Sequence, residues 1–140
     1  FHRFAPDFNV FPHDLLFQFK VLAGICAVLG HNFTCWLKFK GGKGIATTAG
    51  AYLALAPVAV GIALATWIVL FVTTRYVSVA SIAAAIALPT SVWLTEDSVL
   101  LGIVTTGLGV LAIYKHKGNI QRLLAGTESR INFKKEKPAA

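Results

Sequence analysis

Residues 30–48 read GHNFTCWLKFKGGKGIATT. Three lysines (Lys38, Lys40, Lys43) and four glycines (Gly30, Gly41, Gly42, Gly44) crowd into a chain that is apolar on both sides. Before them, residues 15–29 are apolar apart from Gln18 and Lys20; after them, residues 47–73 carry no charge. A cationic, glycine-rich break between apolar runs is what a chain shows where it leaves and re-enters a bilayer. The stretch therefore reads as a loop between membrane helices. The fold class follows: all-α, a polytopic transmembrane helical bundle.

Composition agrees. The 140 residues suit one domain, 56% of them hydrophobic and 14% charged, with a mean hydropathy of +0.67. Soluble domains are roughly 45–50% apolar and about 25% charged, and a soluble core of this size could not hide the excess. The net charge of +7 points to cytoplasmic loop cations, because they sit at the edges of apolar runs; no nucleic-acid partner is expected. Cys26 and Cys35 are too few for a zinc ribbon or a disulfide framework and read as free thiols.

Moving outward, the apolar runs are 15–29, 47–56, 57–73, 77–94 (with Pro89) and 99–114. Pro57 either kinks one long helix or opens a new one. Placing Lys38, Lys40, Lys43, Arg75 and the basic residues from Lys115 to Lys137 on one face collects eleven of the thirteen cations there, with Arg3 and Lys20 opposite. That arrangement needs two passes turning near Pro57, the first of them too short for a free span. The expectation is about five spans with one short or broken helix, the N-terminus outside and the C-terminus cytoplasmic. A single tilted helix through Pro57 is the alternative, and would put Lys43 and Arg75 on opposite faces. As one membrane domain, the chain divides into an extracytoplasmic lead-in (1–14), spans (15–114) and a cytoplasmic tail (115–140) whose end, KKEKPAA, reads as disordered. The opening FHRFAPDFNVFPHD lacks the pattern of a signal peptide and reads as a start partway through a gene.

Three polar segments carry candidate chemistry. Gly41, Gly42 and Gly44 around Lys43 allow positive φ and close backbone approach. A helix starting at Gly44 or Ile45 would add free N–H groups, and together these make an anion site; a plain flexible loop is the alternative. The pattern is not a Walker A loop, since Leu37 stands where that motif needs glycine. Lys38 suits headgroup snorkelling. A lone histidine such as His31 is more often a structural donor, and Thr47 and Thr48 could cap a helix or touch a ligand. In YKHKGNIQRLLAGTE (114–128), the spacing of His116, Asn119 and Arg122 lines them along one helix face, with Gly126 ending it. That face suits a phosphate or polar carbonyl ligand, or else an interfacial helix among headgroups. In RYVSVASI (75–82), Ser78 and Ser81 stand at a helix start, where capping and packing compete with ligand contact. All three segments fall on the cytoplasmic face of the five-span arrangement.

The motif GHNFTCWLKFKGGKGIATTAG resembles the second signature of the bacterial membrane acyl-phosphate:glycerol-3-phosphate acyltransferases. HKGNIQRLLAGTE resembles their third, and RYVSVASI is similar to the segment between them. The resemblance implies transfer of a fatty acyl group from acyl phosphate to the sn-1 hydroxyl of glycerol 3-phosphate. The product is lysophosphatidic acid, made in phospholipid synthesis at the bacterial inner membrane, with no cofactor and no metal. It implies that Lys43 with Gly41, Gly42 and Gly44 holds the substrate phosphate, helped by His31, Thr47 and Arg122. His116, Asn119 and Ser81 form the candidate catalytic set, with His116 or a substrate phosphate as the base. Glu128 pairs with Arg122 and, with Gly126, supports the tail helix. Two departures stand out. Nothing matches the family's first, Ser/Gly/Asn-rich signature, so the expectation is the last five spans of a seven-span enzyme. Thr34 also stands where a proline is expected after Phe33. The competing functions are an anion transporter or channel and an inactive remnant of the acyltransferase.

Overall fold

The computed structural model describes residues 13–39 and 41–132. Residues 1–12 of the lead-in, Lys40 of the loop and the KKEKPAA tail lie outside the described residues. Six α-helices follow in order among them: α1 (His13–Asn32), α2 (Ile45–Leu55), α3 (Pro57–Thr74), α4 (Val77–Thr95), α5 (Val99–Lys115) and α6 (Lys117–Leu124), with a 3-10 turn at Cys35–Leu37. No strand occurs among the described residues.

The helix ends follow from local chemistry. Pro57 sits in the first turn of α3, where its missing N–H costs nothing. Ser98 caps α5 by accepting from Leu101 N at 3.3 Å. Gly126 (φ 69°) closes α6 in a Schellman motif. There Thr127 N donates to Arg122 O (2.8 Å) and Gly126 N to Leu123 O (3.2 Å).

Side-chain size is sorted as lipid demands. Small residues fill the seams (Ala56 before α3, Ala59 and Ala63 on it, Ala80 and Ala85 on α4, Ala112 on α5), while Leu53, Leu64, Val69, Ile86 and Val110 face outward. Without water to drive helices together, close approach through small residues supplies the packing. Outward-facing threonines hide their hydroxyls on their own helix, as Thr66 does on Ile62 O (2.9 Å) and Thr90 on Ile86 O (2.9 Å). Pro89 lies inside α4 and leaves the carbonyl of Ala85 without its helical donor. Gly109 of α5 packs onto that carbonyl so closely that a Cβ there would stand 2.7 Å from it.

Three stretches are long and apolar enough to cross a membrane, Leu15–Leu37, α3 and α4, and a fourth counts if α5 and α6, bent by 52°, are taken together. The first span is longer than the apolar run 15–29 suggests, because α1 continues through His31 and Asn32 into the polar loop. The 11 residues of α2 reach about 16 Å, roughly half the bilayer's hydrocarbon thickness. Its neighbours cover one side of it, where Tyr52 is buried and hydrogen-bonded to Thr105 Oγ of α5 at 2.7 Å. Thr105's own proton goes to Leu101 O (2.5 Å), so the tyrosine hydroxyl is the donor.

The chain reverses at Ala56 (φ −149°, ψ 70°). The start of α2 and the end of α3 accordingly lie at the same end of the bundle, so the two-pass turn, and not a single tilted helix, is what forms. The C-terminal segment confirms the placement. Arg130 Nε donates to Thr74 O (3.2 Å) and Ile131 N to Arg75 O (3.0 Å), while Glu128 and Ser129 line a cavity with Lys43.

Candidate active site

The end of α1, the starts of α2 and α4, and the α5–α6 corner surround a cavity of about 690 Å³. His31, Gly42, Lys43, Gly44, Ser78, Ser81, His116, Asn119 and Glu128 line it. Residues 85 positions apart in the sequence, His31 and His116, thus share one space.

The loop before α2 folds back on α1. Gly42 N donates to His31 O at 3.2 Å. A Cβ at Gly41 would collide with His31 O, and one at Gly42 with the His31 ring. Gly44 has the expected positive φ (78°), while Gly41 and Gly42 serve close approach, here to His31. Gly44 is the N-cap of α2 and supplies no side-chain cap. The orphan N–H groups of the first turn therefore stay available at the cavity edge, with their partial positive charge.

A hydrogen-bonded chain crosses the site. Lys43 Nζ donates to Asn119 Oδ1 at 2.6 Å. Asn119 Nδ2 donates to Glu128 Oε1 at 2.6 Å, and Arg122 Nε to Glu128 Oε2 at 2.7 Å. The anionic Glu128 accepts only, which fixes the Asn119 amide with its oxygen toward Lys43. Lys43 keeps two further N–H donors. The Glu128 side chain is 8% exposed. Asn119 first, then Ser78 and Arg122, hold its carboxyl down at about 2. Ser78 Oγ faces Glu128 without completing a well-formed hydrogen bond, and remains buried and unpartnered.

His116 caps the junction of α5 and α6. The 52° bend between α5 and α6 falls on it, yet it lines the cavity together with Asn119, while Arg122 does not. The residue is 2% exposed. Its Nδ1 stands 2.7 Å from Ala112 O, a partner that can only accept. Nδ1 therefore carries the proton of the neutral ring and Nε2 is left as the base. Burial pushes the imidazole below its ordinary 6.5, and Lys43 adds to this against the backbone bond and Glu128.

Other expected residues land elsewhere. Thr47 does not line the cavity and does not cap α2, whose N-cap is Gly44. Arg122 turns to Glu128 and is outside the lining, as are Gly41 and Gly126. Ser78 and Ser81 do not cap α4, where Tyr76 holds the N-cap position. Both are buried, and Ser81 Oγ accepts from Trp67 Nε1 at 3.2 Å. Cys26 and Cys35 are free and exposed.

Some participants had no signal in the pattern. Asn32 is buried, with Oδ1 unpartnered beside Gly44. Its backbone oxygen accepts from Lys115 Nζ at 2.9 Å, and that ammonium also lies 4.2 Å over the Phe33 ring. No cluster of three or more His, Cys, Asp or Glu suited to a metal occurs among the described residues.

Next to the cavity, and sharing Ile45 with it, an apolar groove of about 120 Å³ runs into the bundle between α2, α3, α4 and α5. Thr48, Trp67, Ala84, Leu88, Pro89 and Gly109 are among its walls. The arrangement pairs a polar end, with Lys43 and the N-terminus of α2, with an apolar slot, and places a neutral imidazole and two serine hydroxyls at the polar end.

Comparisons with known proteins point the same way. The sequence profile of the glycerol-3-phosphate acyltransferase family matches residues 5–126. A glycerol-3-phosphate acyltransferase of Fusobacterium nucleatum is 42% identical over 130 residues, 93% of this chain and 67% of the relative. One of Trichlorobacter lovleyi is 48% identical over 108 residues, 77% of this chain and 56% of the relative. The chain thus spans between about half and two thirds of the length of such relatives. A crystal structure of PlsY (YgiH), an integral membrane glycerol 3-phosphate acyltransferase, in its glycerol 3-phosphate form superposes with a TM-score of 0.73. Its sequence identity is 31%, over 85% of this chain and 70% of that one. Its lysophosphatidic acid form gives a TM-score of 0.73 at 32% identity. A profile match over most of the chain, close relatives and a shared membrane fold together establish that the chain belongs to the glycerol-3-phosphate acyltransferase family.

Proposed function

We propose that this chain carries the acyl-transfer site of an enzyme that moves a fatty acyl group from acyl phosphate to the sn-1 hydroxyl of glycerol 3-phosphate. The observation that carries the reading is the Lys43–Asn119 bond, 2.6 Å, at the seam of a polar cavity and an apolar groove. The family's name, and the glycerol 3-phosphate and lysophosphatidic acid forms of the similar structures, support the choice of acceptor and product.

Acyl phosphate is a mixed anhydride with a good leaving group, so the site has to supply alignment and charge stabilisation, not a covalent intermediate. The free donors of Lys43, the backbone of Gly42–Gly44 and the first turn of α2 hold the glycerol 3-phosphate phosphate. Asn119 and Ser81 orient the acceptor. The acyl chain lies in the groove, which brings its carbonyl to Ile45. The acceptor hydroxyl oxygen bonds to the carbonyl carbon, the bond from that carbon to the phosphate oxygen breaks, and inorganic phosphate leaves. The hydroxyl proton goes to His116 Nε2 or to a phosphate oxygen of a substrate. The cation-rich end faces the cytoplasm of the bacterial inner membrane, which puts the C-terminus inside and the N-terminus outside.

The test mixes the purified full chain in nanodiscs with palmitoyl phosphate and labelled glycerol 3-phosphate. Labelled lysophosphatidic acid that is lost in Lys43→Ala supports the reading. No product from the wild type removes it, and anion flux through liposomes without acyl transfer replaces it with transport.

A further inference from the structure

Trp67 stands where the groove meets the cavity. Its indole is one wall of the groove and stacks on Phe71 with ring centroids 4.9 Å apart. Its Nε1–H crosses from α3 to α4 and donates to Ser81 Oγ at 3.2 Å. Ser81 is 5% exposed and lines the cavity.

The state of the Ser81 proton is the informative part. Hydroxyls in apolar helices usually bond back to their own helix, as Thr66, Thr73, Thr90 and Thr106 do here. Ser81 makes no such bond; the indole is the one hydrogen-bond partner described for it. A serine hydroxyl has one proton and two lone pairs. With an N–H donor on one lone pair, the proton cannot point at Trp67 and is left for an acceptor in the cavity. The indole N–H, held in the groove wall against Ser81, fixes that direction.

We propose that Trp67 is a positioning residue: by donating to Ser81 Oγ it aims the serine proton into the polar cavity, at a phosphate or hydroxyl oxygen of the bound phosphorylated alcohol. The inference rests on the acyltransferase reading for the identity of that alcohol. It places the aromatic side chain that borders the acyl slot in direct control of a donor in the phosphate site.

The experiment is a double-mutant cycle on glycerol 3-phosphate binding, read by titration calorimetry with the full chain in nanodiscs. The proteins are wild type, Trp67→Phe, Ser81→Ala and the double variant. Trp67→Phe keeps a ring on Phe71 and removes the N–H. Each single change is expected to weaken binding about tenfold, the value of one well-placed hydrogen bond, and the double variant to be no weaker than Ser81→Ala. A double variant weakened by the product of the two, about a hundredfold, overturns the proposal, as does Trp67→Phe with wild-type affinity. Phe71→Leu loosens the stack and keeps the N–H, and is expected to stay within about twofold of wild type. A loss there as large as that of Trp67→Phe assigns the effect to packing and also overturns it. Acyl transfer measured on the same proteins separates the two claims. Coupled binding without transfer removes the proposed reaction and leaves the Trp67 assignment standing. Transfer with multiplicative losses in binding does the reverse, and no binding by the wild type sinks both.

Discussion

The polar cavity and the apolar groove touch at Ile45 and are built by opposite means. The cavity is made of loop ends and helix termini: His31 at the close of α1, Gly44 before α2, His116 at a bend. Its geometry depends on a few short hydrogen bonds among side chains far apart in sequence. The groove is made from the start of α2 and the bodies of α3, α4 and α5, and its shape depends on what is missing, the side chain of Gly109 and the N–H of Pro89. One region fails when a donor is lost. The other fails when an atom is added.

The predictions probe that contrast. The largest effect is expected from Gly41→Ala, because the new methyl meets the backbone carbonyl of His31 and the α1–α2 loop must move. Overpacking of this kind costs about 1–3 kcal/mol, and a displaced Lys43 should take acyl transfer below detection. Thermal melting and product formation on the same sample check both parts.

Lys43→Ala comes next. Loss of a charged donor from the transition state should lower kcat/KM for glycerol 3-phosphate by about 10²–10³. The melting temperature should barely move, since the lysine partner Asn119 keeps its bond to Glu128. A melting temperature that falls sharply would show that the polar end depends on Lys43 for folding and blur the comparison.

Gly109→Val tests the groove. The added atoms would meet Ala85 O and Pro89. The expected result is a preference shifted to shorter acyl phosphates, with about a tenfold loss for long-chain donors and an unchanged KM for glycerol 3-phosphate. An equal loss for all chain lengths would deny the groove its proposed role.

Acid should act on the polar end alone. His116 is held below its ordinary 6.5 and Glu128 at about 2, below its ordinary 4.5. In both cases the unfolded chain binds the proton more readily, so stability rises with pH across the window between folded and unfolded values. Stability should therefore fall as pH drops from 6.5, first through His116 and then, below 4.5, as Glu128 is protonated. Glu128→Gln should flatten the lower part of a melting profile taken between pH 5 and pH 3. The smallest effect is expected from Tyr52→Phe, which removes one buried hydrogen bond to Thr105 and should cost about 1 kcal/mol with near wild-type transfer.

The two regions also differed in how far the sequence exposed them. Lys43, His116 and Asn119 stand out because polar groups are rare in so apolar a chain, and charge placement correctly brought them to one end. The reversal at Ala56 followed from the same charge count. The bend at His116 was hidden, since the i, i+3 spacing fits a continuous helix as well as a broken one. Asn32 and Trp67 gave no signal of a role because their importance comes from tertiary neighbours, such as the Ser81 hydroxyl fourteen residues beyond Trp67. The groove was equally invisible, for a run of Ala, Gly and Leu reads the same whether it faces lipid or a slot.

The brevity of α2 has a consequence for traffic. Its 11 residues stop about 16 Å from their start, so one rail of the slot ends in mid-bilayer while its partners run on. On the proposed acyl-transfer reading, a newly made single-chain lipid would not need to back out through the water-facing mouth. It would slip sideways beneath the short rail into the surrounding leaflet, head last, and free the cavity for the next turnover.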